Sequence, residues 1–359
     1  MSLTSYKFTI IGVLYRHLLK PILFLFDPES VHNTMIKIGV FLGNHNSLKK
    51  ITSWVFAYHH PSLQHTRANI VFENPVGLSA GFDYNGQLTD ILPSLGFGWH
   101  TIGTVTYQPY KGNQRPQLIR LPHSRSILVN KGLKNWGAVR IAQTLEKKTL
   151  TIPTGISIAA TNTAYSTTTE QLLDILCCFH VFETSHVQHQ YYELNISCPN
   201  TFAGEPFTTP ERLGLLLDVL NRYQITKPIF IKMPIELTNS EARKLLDVCL
   251  DHDQVKGVIF GNLSKDKTNP AVTQKDTAIW KKHQGNLSGK PTWQRSTQLV
   301  KLAKDYCQGK LVVVGTGGVF TPQDAQEKLG AGADLVQLIT GMIYNGPQVV
   351  GEINLCLSR

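Results

Sequence analysis

Residues 311–341, LVVVGTGGVFTPQDAQEKLGAGADLVQLITG, decide the fold. An apolar run rich in valine ends in paired glycines, an amphipathic stretch follows over 321–331, and a second apolar run begins at residue 335. That order describes a strand, a helix and a second parallel strand, with both strands covered on both faces. Working back along the chain, apolar runs of strand length recur at 74–81, 99–106, 154–160, 191–197, 228–234 and 257–262. Amphipathic stretches such as 208–224, 239–252 and 293–306 lie between runs. Eight strands alternating with helices predict an α/β chain folded as a TIM-type (β/α)8 barrel, not an open doubly wound sheet. ANIVFE (68–73) adds a short strand at the barrel bottom. Two long connections, 107–136 and 263–292, follow strands two and six and so fall on the face where barrel active sites form.

Composition narrows the function. A chain of 359 residues, 42% hydrophobic and 17% charged, can bury one large core or two ordinary ones. Its six cysteines (177, 178, 198, 249, 307 and 356) form no CxxC pair, so neither a disulfide scaffold nor a metal site is implied, and a reducing compartment fits. The formal charge of +10 is spread without a dense basic run. It favours an anionic substrate or an acidic membrane surface over nucleic acid.

The amino terminus has a different pattern. In YKFTIIGVLYRHLLKPILFLF (6–26), Arg16, His17, Lys20 and Pro21 interrupt the apolar patches. No uncharged span reaches the ~18–20 residues needed to cross a bilayer. After DPES (27–30), Asp27 or Ser30 can cap a second helix through VHNTMIKIGVFLG. Two short helices with apolar faces and basic flanks predict a membrane-lying module over 1–45, ahead of a catalytic barrel over 46–359. The plainer alternative is a helical hairpin packed on the barrel.

Chemistry in this fold gathers at the carboxyl ends of the strands. There the sequence places Gly81 and Asp83, Thr104 and Thr106, Asn195, Cys198 and Asn200, Lys232, Asn262, Gly317 and Gly318, and Thr340 with Gly341. The glycine pair and the Thr-Gly after strand eight suit a phosphate site, although glycines also serve tight turns. Lys232 falls inside an apolar run, where an ammonium needs an anion or strong acceptor unless it reaches the rim. Cys198, in LNISCPNT (194–201), is either a reactive thiol or a small packed residue.

Taken in order, NPVGLSAGFDYNG (74–86), TIGTVTYQPYKGNQRPQLIRL (101–121), LNISCPNT, IKMP (231–234), GNLSGKP (285–291), the 315–341 stretch and NGP (345–347) resemble dihydroorotate dehydrogenases, flavin enzymes of pyrimidine synthesis, over essentially the whole chain. FDPESVH (26–32) resembles the extension of the class 2, membrane-associated, quinone-reducing members. The resemblance implies FMN across the barrel mouth and oxidation of dihydroorotate to orotate. By the same match, Lys232 stands beside the flavin pyrimidine edge, and Gly289, Gly317, Gly318, Thr340 and Gly341 belong to the cofactor-binding turns. Ala80 and Gly81 approach the flavin closely; Thr104, Ser157 and Asn195 lie beside it. Asn130, Asn195, Asn200 and Asn262 match the amides that hold orotate. Cys198 takes the place of the catalytic base that removes the C5 proton while hydride leaves C6, with Lys232 as the second catalytic residue. Class 2 members usually carry serine there, and cysteine resembles class 1. His32 and Arg120 match polar positions lining a quinone tunnel.

Departures from the family pattern qualify this. Tyr84 replaces the substrate-facing lysine, and Ser157 stands where many members have asparagine. Leu263 follows Asn262 where a hydroxyl residue is usual, although a one-residue shift would bring in Ser264. NKGLKNWG (130–137) is one residue short, which brings Lys131 or Lys134 within reach of the substrate carboxylate. The expectation is a quinone-linked enzyme held peripherally on the cytoplasmic face of the inner or cytoplasmic membrane, with no nucleic acid and no obligate protein partner. Alternatives are a soluble acceptor such as fumarate, another dihydropyrimidine as substrate, or a silent FMN-binding scaffold.

Overall fold

The structure is a computed structural model that describes residues 3–359. Eight strands form the core: Val76–Leu78 (β1), Trp99–Val105 (β2), Thr154–Ile158 (β3), Tyr191–Asn195 (β4), Ile229–Met233 (β5), Val255–Phe260 (β6), Val312–Thr316 (β7) and Leu335–Leu338 (β8). Each pairs in parallel with the next, and β8 pairs with β1, closing the barrel in sequence order. Their runs are mainly apolar because helices cover the outer face while neighbouring strands fill the lower part of the inner one. Helices Thr168–Thr184, Pro210–Tyr223, Asn239–Leu250 and Pro322–Gly330 start alike. A threonine at 167, 209, 238 or 321 accepts a hydrogen bond from the N–H three residues on. Such caps contribute about 1 kcal/mol each and fix where the helix leaves its loop.

The barrel interior changes chemistry along its axis. A hairpin of His65–Arg67 and Ile70–Phe72 plugs the bottom, with Phe72 5.7 Å from the Trp99 ring. Tyr191 continues the plug, 6.3 Å from Trp99 and 5.1 Å from Phe230 between ring centres. Above it, the Tyr191 hydroxyl meets Thr101 Oγ1 at 2.8 Å, and Gln337 Nε2 donates to the same atom at 3.0 Å. From this level upward the inward side chains are polar.

The two long connections join over the mouth. Leu118–Leu121 and Ser126–Val129 form a hairpin, and Asn286–Leu287 from the second connection adds a third antiparallel strand.

Three helices precede the barrel. Leu3–Leu14 (α1) continues through one wider turn at Tyr15–Leu19 into Lys20–Phe24; Pro28–Gly43 (α2) and Asn46–Phe56 (α3) follow. The Asp27 carboxylate caps α2 by accepting from Ser30 N at 2.8 Å. The helical segment thus runs on past residue 45, because α3 continues it to Phe56. Phe8 is buried against the carboxyl-terminal helix, where a Cβ on Gly351 would stand 2.6 Å from its ring. Outward, Leu18, Ile22, Leu25, Phe26, Phe41, Ile51 and Trp54 are exposed. Among the described residues no helix is long and apolar enough to cross a membrane.

The plug predicts a sharp intolerance at its glycines. A Cβ at Gly155 would lie 2.2 Å from the Tyr191 ring, whereas one at Gly214 meets nothing closer than 3.9 Å. Gly155→Ala is expected to lower unfolding free energy by about 1–3 kcal/mol, and Gly214→Ala, mid-helix, to raise it by about 0.5–1 kcal/mol. Urea unfolding of the two variants checks this; equal stabilities would show that the aromatic plug yields.

Candidate active site

Polar groups at the barrel mouth form one connected chain. On β5, Lys232 is only 4% exposed, and its Nζ lies 3.3 Å from Glu193 Oε1 and 3.4 Å from Ser79 Oγ. Ser157 Oγ donates to the same Glu193 oxygen at 2.8 Å, and Thr104 Oγ1 stands 2.9 Å from Ser157 Oγ. Asn195 Nδ2 donates to Thr104 Oγ1 at 2.9 Å, and Asn262 Nδ2 reaches Asn195 Oδ1 at 3.3 Å and the Ser197 carbonyl at 2.8 Å. The first six strands therefore contribute, at or just past their carboxyl ends, to one network. Every member sits there because strand register alternates side chains, so residues two apart, such as Glu193 and Asn195, face the same interior.

Beside this network lies a cavity lined by Ala80, Lys232, Asn262, Leu263, Gly289, Gly317, Gly318, Thr340 and Gly341, among others. Gly317 and Gly318 have φ of +90° and +74°, a backbone path that favours glycine. A Cβ at Gly318 would stand 2.3 Å from Trp293 Cβ, and one at Gly341 only 1.8 Å from the Val319 carbonyl. Among the described residues nothing accepts a hydrogen bond from the N–H of Gly317 or Gly318. Two adjacent unpartnered donors beside the hydroxyls of Ser288 and Thr340, themselves 2.9 Å apart, suit a bound phosphate. Gly81 stands next to this cavity, its N–H donating to the Gly103 carbonyl at 2.7 Å.

Cys198 sits in the loop after β4 and lines a smaller cavity with Leu133, Asn195 and Phe207. Burial pushes its thiol up to about 11; the Asn200 N–H and the Lys232 ammonium pull the other way, and Glu205 adds to the rise. The thiol is thus harder to ionise than a free one.

The four asparagines expected to act together fall into two groups. Asn195 and Asn262 belong to the mouth network, whereas Asn130 and Asn200 join a second amide cluster. There Asn113 Nδ2 donates to Asn130 Oδ1 and to the Asn200 carbonyl, both at 2.9 Å. Asn286 Nδ2 donates to Asn200 Oδ1 at 2.7 Å, and Asn200 Nδ2 donates to the Val129 carbonyl at 2.9 Å. This cluster ties the sheet over the mouth to the Cys198 loop. The hydroxyl that a shift at Ser264 would supply is not in the cavity, because Ser264 Oγ donates to Glu236 Oε1 at 3.1 Å and Leu263 takes the lining position.

Tyr84 is half-buried beneath a cation. Lys131 Nζ lies 5.1 Å from the Tyr84 ring centre and 3.5 Å from Glu29 Oε1 on α2, and Glu29 is itself buried. Arg115, largely exposed, approaches the other Glu29 oxygen at 3.3 Å. Burial lowers the Lys131 pKa to about 8 against the pull of Glu29. His32 packs on Phe82 and Tyr84 at 5.0 and 5.3 Å, and burial, followed by Lys131 and Lys134, lowers its pKa to about 3. Arg120 donates from Nη1 to the Phe26 carbonyl at 2.7 Å and stands 4.5 Å from the Phe24 ring centre. His32 and Arg120 both lie on the seam between the amino-terminal helices and the barrel.

Sequence reasoning overlooked Glu193 and the amides of Asn113, Asn162 and Asn286. Glu193 had a usable signal, since it is the only acid in a strand-length apolar run and lies two residues before Asn195. The amides had none, because loop asparagines are commonplace in turns.

A closed parallel barrel with a glycine cradle and a buried ammonium at its mouth defines an enzyme of the phosphate-holding (β/α)8 class. The family model described as dihydroorotate dehydrogenase matches residues 62–359. A protein of Thermosynechococcus vestitus named dihydroorotate dehydrogenase (quinone) is 33% identical over 355 residues, covering 94% of each chain. One of Trichodesmium erythraeum with the same name is 31% identical over 356 residues, covering 95% of this chain and 93% of its own. The solved structure of the Eimeria tenella dihydroorotate dehydrogenase in complex with ferulenol shares the fold, with a TM-score of 0.78 at 23% identity over 92% of this chain and 90% of its own. This chain belongs to the dihydroorotate dehydrogenase family.

The seam yields a stability test. Lys131→Met leaves Glu29 buried with only the exposed Arg115 as counter-charge and is expected to cost about 3 kcal/mol. The double variant Lys131→Met with Glu29→Gln should recover most of the loss. Thermal unfolding decides: a single variant as stable as the wild type would mean that this pair does not seat α2.

Proposed function

We propose that this chain oxidises dihydroorotate to orotate on FMN and passes the electrons to a quinone at a membrane surface. The observation that carries the reading is the continuous network from Ser79 to Asn262 beside the glycine cradle. It supplies a fixed ammonium, oriented amides and phosphate donors at one mouth. The names of the cyanobacterial relatives support the quinone.

FMN supplies the hydride acceptor when bound. The backbone N–H groups of Gly317 and Gly318, with the turn at Thr340 and Gly341, hold its phosphate. Lys232, which lines the same cavity, would face the bound flavin, where an ammonium stabilises negative charge. Asn195 keeps one amide N–H, and Asn262 one lone pair of its carbonyl oxygen, for a ring that alternates donors and acceptors. Cys198 accepts the C5 proton as hydride leaves C6. Because burial holds the thiol near 11, the thiolate fraction at neutral pH is small and rises with pH. His32 stays neutral at physiological pH and, with Arg120, borders the approach for the quinone. The exposed apolar side chains of α1, α2 and α3 lie against the bilayer surface, which makes the protein peripheral to the membrane.

One observation favours a second reading, a dihydropyrimidine without a carboxylate: Tyr84 supplies no charge, and Lys131 is engaged by Glu29. The same experiment separates the two. FMN-loaded protein in mild detergent, kept anaerobic, should bleach with dihydroorotate and not with dihydrouracil, and recover colour with a short-chain quinone. Bleaching by dihydrouracil alone would establish the second reading; reoxidation only by fumarate or NAD would replace the quinone.

Three further outcomes are expected. Cys198→Ala should retain FMN yet lose bleaching by at least about 100-fold. The wild-type bleaching rate should climb from pH 7 to pH 10 without a plateau, since the thiol, pushed up to about 11, ionises only above that range; stopped-flow absorbance reads both. Leu18→Glu with Phe41→Glu should abolish flotation with anionic lipid vesicles while bleaching by dihydroorotate continues at the wild-type rate.

A further inference from the structure

Glu193 is the acid in the molecule that the reaction scheme above leaves without a task. It is fully buried on the inner face of β4, with Oε1 taken by Ser157 and Lys232 and Oε2 without any partner among the described residues. A carboxylate in such a place is costly unless a counter-charge is held against it. Register shows how it meets that charge. The β4 residue beside Lys232 is Asn195, while Glu193 stands beside Phe230, one step toward the barrel bottom. The carboxylate therefore approaches the ammonium from below. Lys232 lines the cofactor cavity and Glu193 does not, so the upper side of the ammonium stays open to a ligand.

The hydrogen bonds share one direction. Asn262 donates to Asn195, Asn195 to Thr104, and Ser157 to Glu193, which leaves the Thr104 hydroxyl to donate to Ser157. The carboxylate is the terminal acceptor that orients the whole chain.

We propose that Glu193 is a positioning residue for Lys232: it holds the ammonium at the cavity floor and offsets part of its charge, so that the bound flavin is harder to reduce than it would be over an unpaired lysine. This rests on the FMN reading above. Hydride uptake adds one net negative charge to the flavin, and removing a nearby carboxylate favours that added charge.

The test is a reductive titration of FMN-loaded protein with a reference dye, which needs no substrate. Glu193→Gln is expected to shift the reduced-to-oxidised equilibrium at least tenfold toward reduced flavin, a rise in midpoint of about 30 mV for a two-electron couple. The same substitution in a Lys232→Met background should give a smaller rise. An unchanged or lowered midpoint in Glu193→Gln, or an equal rise in both backgrounds, overturns the proposal. If Glu193→Gln does not accumulate with flavin, unfolding of the flavin-free proteins decides. The single variant should be less stable than wild type, and Glu193→Gln with Lys232→Met should regain stability; no recovery overturns the pairing. Should the wild type itself take up no FMN, the flavin reading fails while the unfolding comparison still judges the ion pair.

Discussion

A lysine ammonium inside a closed barrel is the constraint around which this molecule is arranged. Lys232 sits where strands otherwise contribute valine, isoleucine and phenylalanine, and water cannot solvate it. The neighbouring strands answer with a carboxylate at 193 and hydroxyls at 79, 104 and 157, each at the height that register allows. A single apolar replacement in that layer would leave a charge or a dipole without a partner. The polar mouth is thus a consequence of one charge placed in a hydrocarbon interior, and the amides that follow, Asn195 and Asn262, inherit their orientation from it.

The barrel bottom has the opposite requirement. Phe72, Trp99, Tyr191 and Phe230 fill the interior where no chemistry occurs, and the adjacent strands have glycine at 77 and 155, beside Trp99 and Tyr191, because the rings occupy the space a side chain would need. This packing fixes the lateral position of β2, β4 and β5, which carry Thr104, Glu193 and Lys232. Rigidity at the bottom is what holds distances of about 3 Å at the top, since strands move as units in a close-packed interior.

How much of this could be read beforehand follows from the range of the interactions. Strands were legible because burial on both faces writes an apolar run into contiguous residues, and the start of α2 was legible through its cap at Asp27. The glycine pair at 317–318 and the lysine at 232 stood out because each is costly or unusual in its local run. Glu193 is equally unusual in its run, but its role stayed hidden because it depends on a lysine 39 residues away on the adjacent strand. The division of the four asparagines into two clusters was equally hidden, because Asn113 and Asn286, which hold Asn130 and Asn200, come from separate loops. Helix α3 escaped notice because NSLKKITSWVF lacks a side-chain cap and alternates polar with apolar residues in short patches.

The amino-terminal helices join the barrel by a different logic from the one that holds the barrel together. Beside the buried Phe8 and Ile36, their inward contacts include Glu29 to Lys131, His32 to Phe82 and Tyr84, and Arg120 to the Phe26 carbonyl. Glu29 and Lys131 are buried together, so separating α2 from the barrel would either hydrate both charges or strand them. Placing tyrosine at 84 lets one aromatic face support the Lys131 ammonium and another receive His32, so a single substitution at the strand-one loop links mouth and extension. Phe8 and Ile36 are spent in docking, whereas Ile10, Phe41, Ile51 and Trp54 remain on the outside. The seam thereby sets which face of these helices points outward.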